Sequence, residues 1–357
     1  MSRGDDEARP RGVRGADVAY VTCVIATRDR GARVVQAVES VWANLPVSAE
    51  VVIVDQSATR ETEAALEEFR GRPGFRYVRS RTTGISAGRN AGVELASHEL
   101  VAFTDDDCLV GGVWLTAITD GFTRDPRVGV VFGAVLAAPT DPQHEVVTSY
   151  LPSAPFLARG LEDKHRVEGI SACMAIRRSM WRALGGFDEQ LGVGAPYRAG
   201  EETDLTLRAL EAGYFVFETP EAHVTHAGVC PLAAIPAMID RNWFGTGAAW
   251  GKLLRRRPRL ATALLARMSL KWAFGTPSIV SSLGASSHRA RRLGAFGRGL
   301  ATGVRHPVDP ATGLFVVEER GQPRGASAPS LASGVRKPCD QRLSENPSSP
   351  HSDACSP

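Results

Sequence analysis

LVAFTDDDCL, residues 100–109, is the stretch on which the reading of this chain turns. A short apolar run bounded by polar residues predicts a buried strand, so Asp105, Asp106 and Asp107 fall where that strand leaves the sheet. The carboxyl edge of an open α/β sheet is where such folds bind ligands. Three adjacent carboxylates, partly shielded from water, repel one another, and a divalent cation with hard oxygen ligands relieves that repulsion. On an extended backbone Asp105 and Asp107 face one way together and Asp106 the other. An acidic turn is the competing reading of the triplet alone, because Asp is a common turn residue.

Strand and helix signals alternate outward from this point. YVTCVIA, AEVVIVD and FRYVRS read as strands, and RVVQAVESVWAN, TRETEAALEEF and AGRNAGVELAS as helices between them. That is the rhythm of a mostly parallel sheet flanked by helices on both faces. The spacing predicts an α/β, Rossmann-like domain over residues 18–230. From about Pro231 the pattern changes to Arg-rich helical segments, so residues 231–318 are expected to form a helical extension. Residues 1–17 look like a loose arm, and the Ser-, Pro- and Gly-rich residues 319–357 have a composition that cannot bury enough apolar surface to fold.

The chain has 357 residues, 43% hydrophobic and 23% charged, with a formal charge of +3, which suits a globular enzyme and is too mild to argue for nucleic acid. Its six cysteines form no CxxC pair, and a reducing cytoplasm is the expected setting. The amino terminus lacks the apolar core of a secretory signal. No GxxxxGK[ST] loop is present, which excludes a P-loop ATPase, and FGTGAAWG (244–251) follows no strand. The stretch after Ala249 mixes Arg255 to Arg257 with apolar residues broken by Arg267 and Lys271, which argues against a membrane span. Helices packed on the catalytic domain, or an amphipathic surface resting on an anionic inner leaflet, both fit.

Four further places carry polar groups suited to chemistry. Asp55 ends the strand AEVVIVD, where a carboxylate can accept from a nucleobase or ribose, or simply cap the next helix. Gly84, Gly88 and Gly92 put small residues on one helix face, with Arg89 and Asn90 projecting elsewhere toward the strand ends. Glu201, Glu202 and Asp204 cluster at a helix start, where they either complement the helix dipole or supply a general base. His223 and His226 follow another strand, and His226 is the better candidate for a third protein ligand to Mn²⁺ or Mg²⁺.

In this order, VIATRDR, VVIVDQS, GISAGRNAG, FTDDDCL, CMAIRRSMWRALGGFDE, GEETDL and VTHAG resemble the family 2 glycosyltransferases with the GT-A fold, over roughly Val18 to Gly228. The resemblance implies inverting transfer of a sugar from a nucleotide-sugar donor, with a divalent metal, to a glycan, lipid-linked or small-molecule acceptor. It implies that Thr27, Arg28 and Asp55 line the nucleotide pocket and that Arg89, Asn90 and Asp106 belong to the donor side. Asp105 would lie by the ribose or metal, Asp107 would be the metal ligand, and His226 the late metal-associated histidine. Phe187 and Asp188 would contact the acceptor. Where the family usually has Glu-Asp this chain has Glu201-Glu202, so Glu202 is the expected base, with Glu201 and Asp204 as the other carboxylates at hand. A nucleotide-sugar binder without transfer activity and a DxD phosphohydrolase are the alternatives. The phosphohydrolase fits poorly, since Cys108-Leu109 stands where that chemistry wants a threonine.

Overall fold

The computed structural model describes residues 20–45, 49–274 and 288–317, with side chains in the middle segment described to Met268. The expected arm at 1–17 and tail at 319–357 lie outside the described residues. One compact unit runs through Val316.

The elements follow the order β1 (Val21–Thr27), α1 (Arg33–Ala43), β2 (Glu50–Asp55), α2 (Glu61–Ala65), β3 (Phe75–Arg79), α3 (Ile85–Leu95), β4 (Leu100–Phe103), β5 (Cys108–Val110), α4 (Trp114–Asp120), β6 (Val128–Ala137), β7 (Glu145–Val147), β8 (Phe156–Ala158), β9 (Met174–Arg177), α5 (Arg178–Ala183), α6 (Glu201–Glu211), β10 (Phe215–His226), β11 (Val229–Pro231), α7 (Ile235–Arg256), α8 (Pro258–Phe274) and α9 (Arg289–Arg305). The main sheet runs β3-β2-β1-β4-β9-β6-β10-β5, with β8 also paired to β10. β3, β2, β1 and β4 are mutually parallel, as are β6 and β10, while β9 lies antiparallel between β4 and β6.

Every residue of β1 and β2 is buried, because both sheet faces are covered, and this is why those strands read as unbroken apolar runs rather than alternating ones. The glycine stripe of α3 lets that helix lie directly on β1. A Cβ at Gly92 would sit 2.3 Å from Val24 Cγ1. The register Thr27 to Asp55 brings the ends of β1 and β2 level. On the other side, antiparallel pairing of β10 with β5 sets His226 opposite Cys108, immediately beside the acidic triplet.

The carboxyl-terminal helices pack on this framework. α7 and α9 approach so closely that a Cβ on Gly299 would stand 2.0 Å from the Phe244 carbonyl oxygen. The glycines of FGTGAAWG therefore serve helix contact: Gly245 lies against the Ala199 backbone and Gly251 against the Leu300 carbonyl. Among the described residues no helix is long and apolar enough to cross a membrane.

Candidate active site

An open cavity of about 1720 Å³ is lined by the ends of β1 and β10, the acidic triplet, the start of α6 and the inner faces of α7 to α9. This exceeds the roughly 300–1,000 Å³ of single-ligand pockets and leaves room for two substrates.

The triplet is a turn, closed by the Cys108 N–H donating to the Asp105 carbonyl at 3.2 Å, so its three side chains diverge instead of alternating as on a strand. Asp105 accepts from Arg89 at 2.9 Å. Asp106 accepts from the Thr27 hydroxyl at 2.6 Å and pairs with Arg30 at 2.9 Å. Burial pushes the Asp106 carboxyl up to about 6, although Thr27 and Arg30 both favour its ionised form. Asp107 pairs with Arg30 at 3.1 Å and with His226 Nε2 at 3.3 Å. Burial works against an ionised Asp107, but the hydrogen bond and charge of His226 and the charge of Arg30 prevail and hold it below its ordinary value. His226 is likewise raised: burial opposes its charge and Asp107 outweighs burial.

Asp107, Cys108 and His226 bring ligand atoms within 4.8 Å of one another, a set that fits a divalent ion. Burial keeps the Cys108 thiol protonated, which leaves the carboxylate and the imidazole as donors. His226 Nδ1 lies 3.1 Å from the Thr148 carbonyl, an orientation that presents Nε2 as the ligating nitrogen. Gly228 keeps this corner open, since a Cβ there would stand 2.7 Å from Asp107 Oδ2 and 2.8 Å from His226 Nε2. Asp105, held by Arg89, is not a member of this set.

Across the cavity, α6 begins after Gly200, whose φ of 90° is left-handed and whose missing Cβ lets the turn rest on Gly245. Glu201 accepts from the buried Arg89 at 3.1 Å, so one guanidinium ties the triplet to the start of α6. Glu202 lines the cavity, and its Oε2 is shielded from solvent without a hydrogen-bond partner. Burial and the neighbouring Glu201 charge raise its carboxyl well above the ordinary range. A carboxylate of raised basicity with a vacant oxygen suits proton abstraction.

Several expected site residues are placed elsewhere. Asp55 is fully buried, and its oxygens accept from the Ser57 N–H at 2.8 Å, the Ser57 hydroxyl and the Tyr77 hydroxyl at 2.5 Å. It braces the loop after β1, because Ser57 in turn accepts from the Asp29 N–H at 2.7 Å. Asn90 is also a brace: its side chain donates to the Phe187 carbonyl at 3.0 Å and accepts from the Phe187 N–H at 2.8 Å and from Trp181 at 3.0 Å. Phe187 packs edge-on against Phe103 in the core. Asp188 and Asp204 are buried together around Lys252, at 2.5 and 2.6 Å, and Asp204 also pairs with Arg208 at 2.8 Å. Burial disfavours the Asp204 charge, but Arg208 and Lys252 overcome it and hold the carboxyl low, so Asp204 cannot serve as the base. Neither Asp188 nor Phe187 lines the cavity as an acceptor contact.

Arg28 lines the cavity mouth, half exposed and paired with Asp29. The residue that reaches both Asp106 and Asp107 is Arg30, which sequence reasoning missed. Asp29 adopts a left-handed φ of 54°, and this local reversal turns Arg30 toward the triplet. Lys252 was missed too, since a lysine within a long helix carries no local mark of burial between two acids.

A mostly parallel sheet ending in an acidic turn, opposite a carboxylate at a helix start, is an architecture of the GT-A type. Residues 22–185 match the family described as Glycosyl transferase family 2. Among its relatives, the succinoglycan biosynthesis protein ExoM of Rhizobium meliloti (strain 1021) is 29% identical over 58% of this chain and 65% of its own length. The pre-mycofactocin glycosyltransferase of Mycobacterium tuberculosis (strain CDC 1551 / Oshkosh) is 28% identical over 68% of this chain and 48% of its own. The chain thus spans about half to two thirds of these relatives. In fold it is similar to the mannosyltransferase PcManGT of Pyrobaculum calidifontis, solved with GDP-Man and Mn²⁺, at a TM-score of 0.54 and 16% identity over 80% of this chain and 87% of that one. It is equally similar to S. aureus TarS 1-349, at a TM-score of 0.54 and 14% identity over 79% and 81%.

Proposed function

We propose that this protein moves a sugar from a nucleotide-sugar donor to an acceptor hydroxyl with inversion, in a metal-dependent reaction. The observation that carries this reading is the shared cavity, in which Asp107 and His226 occupy the strand edge while the unpartnered Glu202 oxygen faces in from the start of α6. A divalent ion on Asp107 and His226 would neutralise the departing diphosphate. Glu202 takes the proton of the attacking hydroxyl, and Arg89 keeps Glu201 and Asp105 at fixed spacing around the reacting groups. Arg30 offsets the charge of Asp106 and Asp107 at the mouth. On this reading Glu202 acts as the base and the acceptor hydroxyl as the nucleophile, so the transfer is a single displacement.

Names among the relatives include succinoglycan biosynthesis and a glucosyl-dolichyl phosphate glucuronosyltransferase of Haloferax volcanii, so glycan and lipid-linked acceptors both stand within the reading. Exposed Arg255, Arg257 and Arg259 beside the exposed Leu260, where α7 ends and α8 begins, support peripheral contact with the anionic inner face of the cell membrane from a cytoplasmic position. The test is a thermal-shift screen of UDP, GDP and dTDP with and without Mn²⁺. One nucleotide should stabilise the protein in a Mn²⁺-dependent way, because a ligand specific to the folded state raises its stability by mass action. No shift from any nucleotide with Mn²⁺ present would overturn the proposal.

A further inference from the structure

Arg292 lies on the first turn of α9 and is buried, 5% exposed. Its Nε and Nη2 are shielded from solvent, and neither meets an acceptor among the described residues. The other buried arginines differ: Arg89 holds two carboxylates, and Arg208 holds a carboxylate and two carbonyls. Burial lowers the basicity of Arg292 and the like charge of Arg289 adds to that, yet a guanidinium stays protonated in a protein. An unpaired buried charge is among the costliest features a fold can carry.

The two orphaned donors are not arbitrary ones. Nε and Nη2 form one edge of the guanidinium fork, the edge that gives two parallel hydrogen bonds to a planar or tetrahedral oxyanion. Arg292 opens on the same large cavity as Glu202, on the wall built by α7, α8 and α9, where Trp243, Trp250, Met238 and Met268 are its fellow lining residues. That wall offers aromatic and thioether surface around the buried Arg292 guanidinium, with the exposed Arg241 of α7 also lining it. A ligand that satisfies it brings an oxyanion joined to an apolar body.

We propose that Arg292 receives the phosphate of an acceptor carried on an apolar chain, with the chain lying on the Trp250 and Met268 surface. This rests on the glycosyltransferase reading and adds to it the chemical class of the acceptor. The metal corner at Asp107 and His226 is built from the strand edge, so the acceptor phosphate and the donor diphosphate are held by separate elements.

The experiment is calorimetric titration of the full chain with geranyl phosphate, geraniol and inorganic phosphate. It is run in wild type and Arg292→Met, alongside the nucleoside diphosphate that wild type prefers with Mn²⁺. Wild type should bind geranyl phosphate at least about tenfold more tightly than geraniol, roughly 1.4 kcal/mol, and Arg292→Met should erase that preference while leaving nucleotide affinity unchanged. Without ligand the variant should melt no lower than wild type, because methionine removes an unpaired charge and keeps the length. Equal binding of geranyl phosphate and geraniol to wild type, or a preference that survives in Arg292→Met, overturns the proposal. Inorganic phosphate binding as tightly as geranyl phosphate, and only with Arg292, assigns the site to free phosphate and overturns the lipid carrier. Failure of the nucleotide to bind wild type counts against the transfer reading, not against Arg292.

Discussion

Replacing Lys252 with methionine tests whether the carboxyl-terminal helices hold α6 in place. Lys252 of α7 is 3% exposed and lies 2.5 Å from Asp188 and 2.6 Å from Asp204, each 2% exposed. With Arg208, these residues form a buried group of two positive and two negative side chains. They join α7 to α6 and, through Asp188, to the Gln190 and Phe315 N–H groups. Removing the lysine strands one carboxylate. Asp204 keeps Arg208, while Asp188 keeps only backbone donors. Breaking a buried pair from one side costs about 3–5 kcal/mol, and the remaining partners put this case near the lower figure. About 3 kcal/mol corresponds to a melting-temperature drop of roughly 5 °C for a chain of this size. Adding Asp188→Asn to Lys252→Met should recover a large part of the loss, about 1–2 kcal/mol, because it removes the stranded charge. Urea unfolding of the two single variants and the double variant reads this coupling directly. A loss under 1 kcal/mol in Lys252→Met, or strict additivity in the double variant, would refute the charge-balance argument.

Glu202→Gln should lower transfer by about two to four decades with donor affinity retained. In wild type kcat/KM should climb with pH through a value well above the 4.5 of an ordinary glutamate, since the base must be ionised to act. Asp107→Ala should abolish both transfer and Mn²⁺-dependent nucleotide binding; unchanged turnover in a chelator-treated assay would count against the metal assignment. Glu218 is raised to about 7 by burial, against 4.5 in the unfolded chain, so the folded form is increasingly disfavoured as pH climbs between those values. Glu218→Gln should therefore gain on wild type across that window, by up to about 3 kcal/mol, and show no such gain below it. Donors linked α to the nucleotide should yield β products by the proton NMR coupling of the new anomeric centre; retention would exclude a single displacement.

The layout of the sheet was legible because its strands are covered on both faces and so appear as continuous apolar runs. The spacing of Gly88 and Gly92 was legible for a similar reason, since α3 packs closely on Ala26 and Val24 of β1; Gly84 instead caps the helix with a φ of 98° and lies against Ala195. What local pattern cannot tell is the direction in which a polar residue at an element's end will point. Asp188 and Asp204 follow the same sequence rules as Asp107 and Glu202, yet they turn inward to a lysine 64 and 48 positions later. Asn90 likewise projects from α3 as expected, but toward the backbone of the Phe187 turn rather than toward a donor. Arg30 was hidden by a single left-handed residue, Asp29, a conformation that few sequences announce.

The charges of the site explain why one carboxylate stands apart. Five of the seven acids that line the cavity come from two places: Asp105, Asp106 and Asp107 from the turn after β4, and Glu201 and Glu202 from the start of α6. Arg89 bridges Asp105 to Glu201, Arg30 bridges Asp106 to Asp107, and His226 adds a second partner for Asp107. Each arginine thus spends its fork on two acids, and Glu202 is left without a cation of its own. The charge of Arg89 lowers its basicity less than burial and Glu201 raise it. Were Glu202 also tied to an arginine, it would be a weaker base and its oxygen would be occupied. The same economy leaves Asp107 able to exchange Arg30 for a metal, because Arg30 can retain Asp106 when it lets Asp107 go. The two positions that the proposed mechanism needs open are the two that this pairing leaves exchangeable or unpaired.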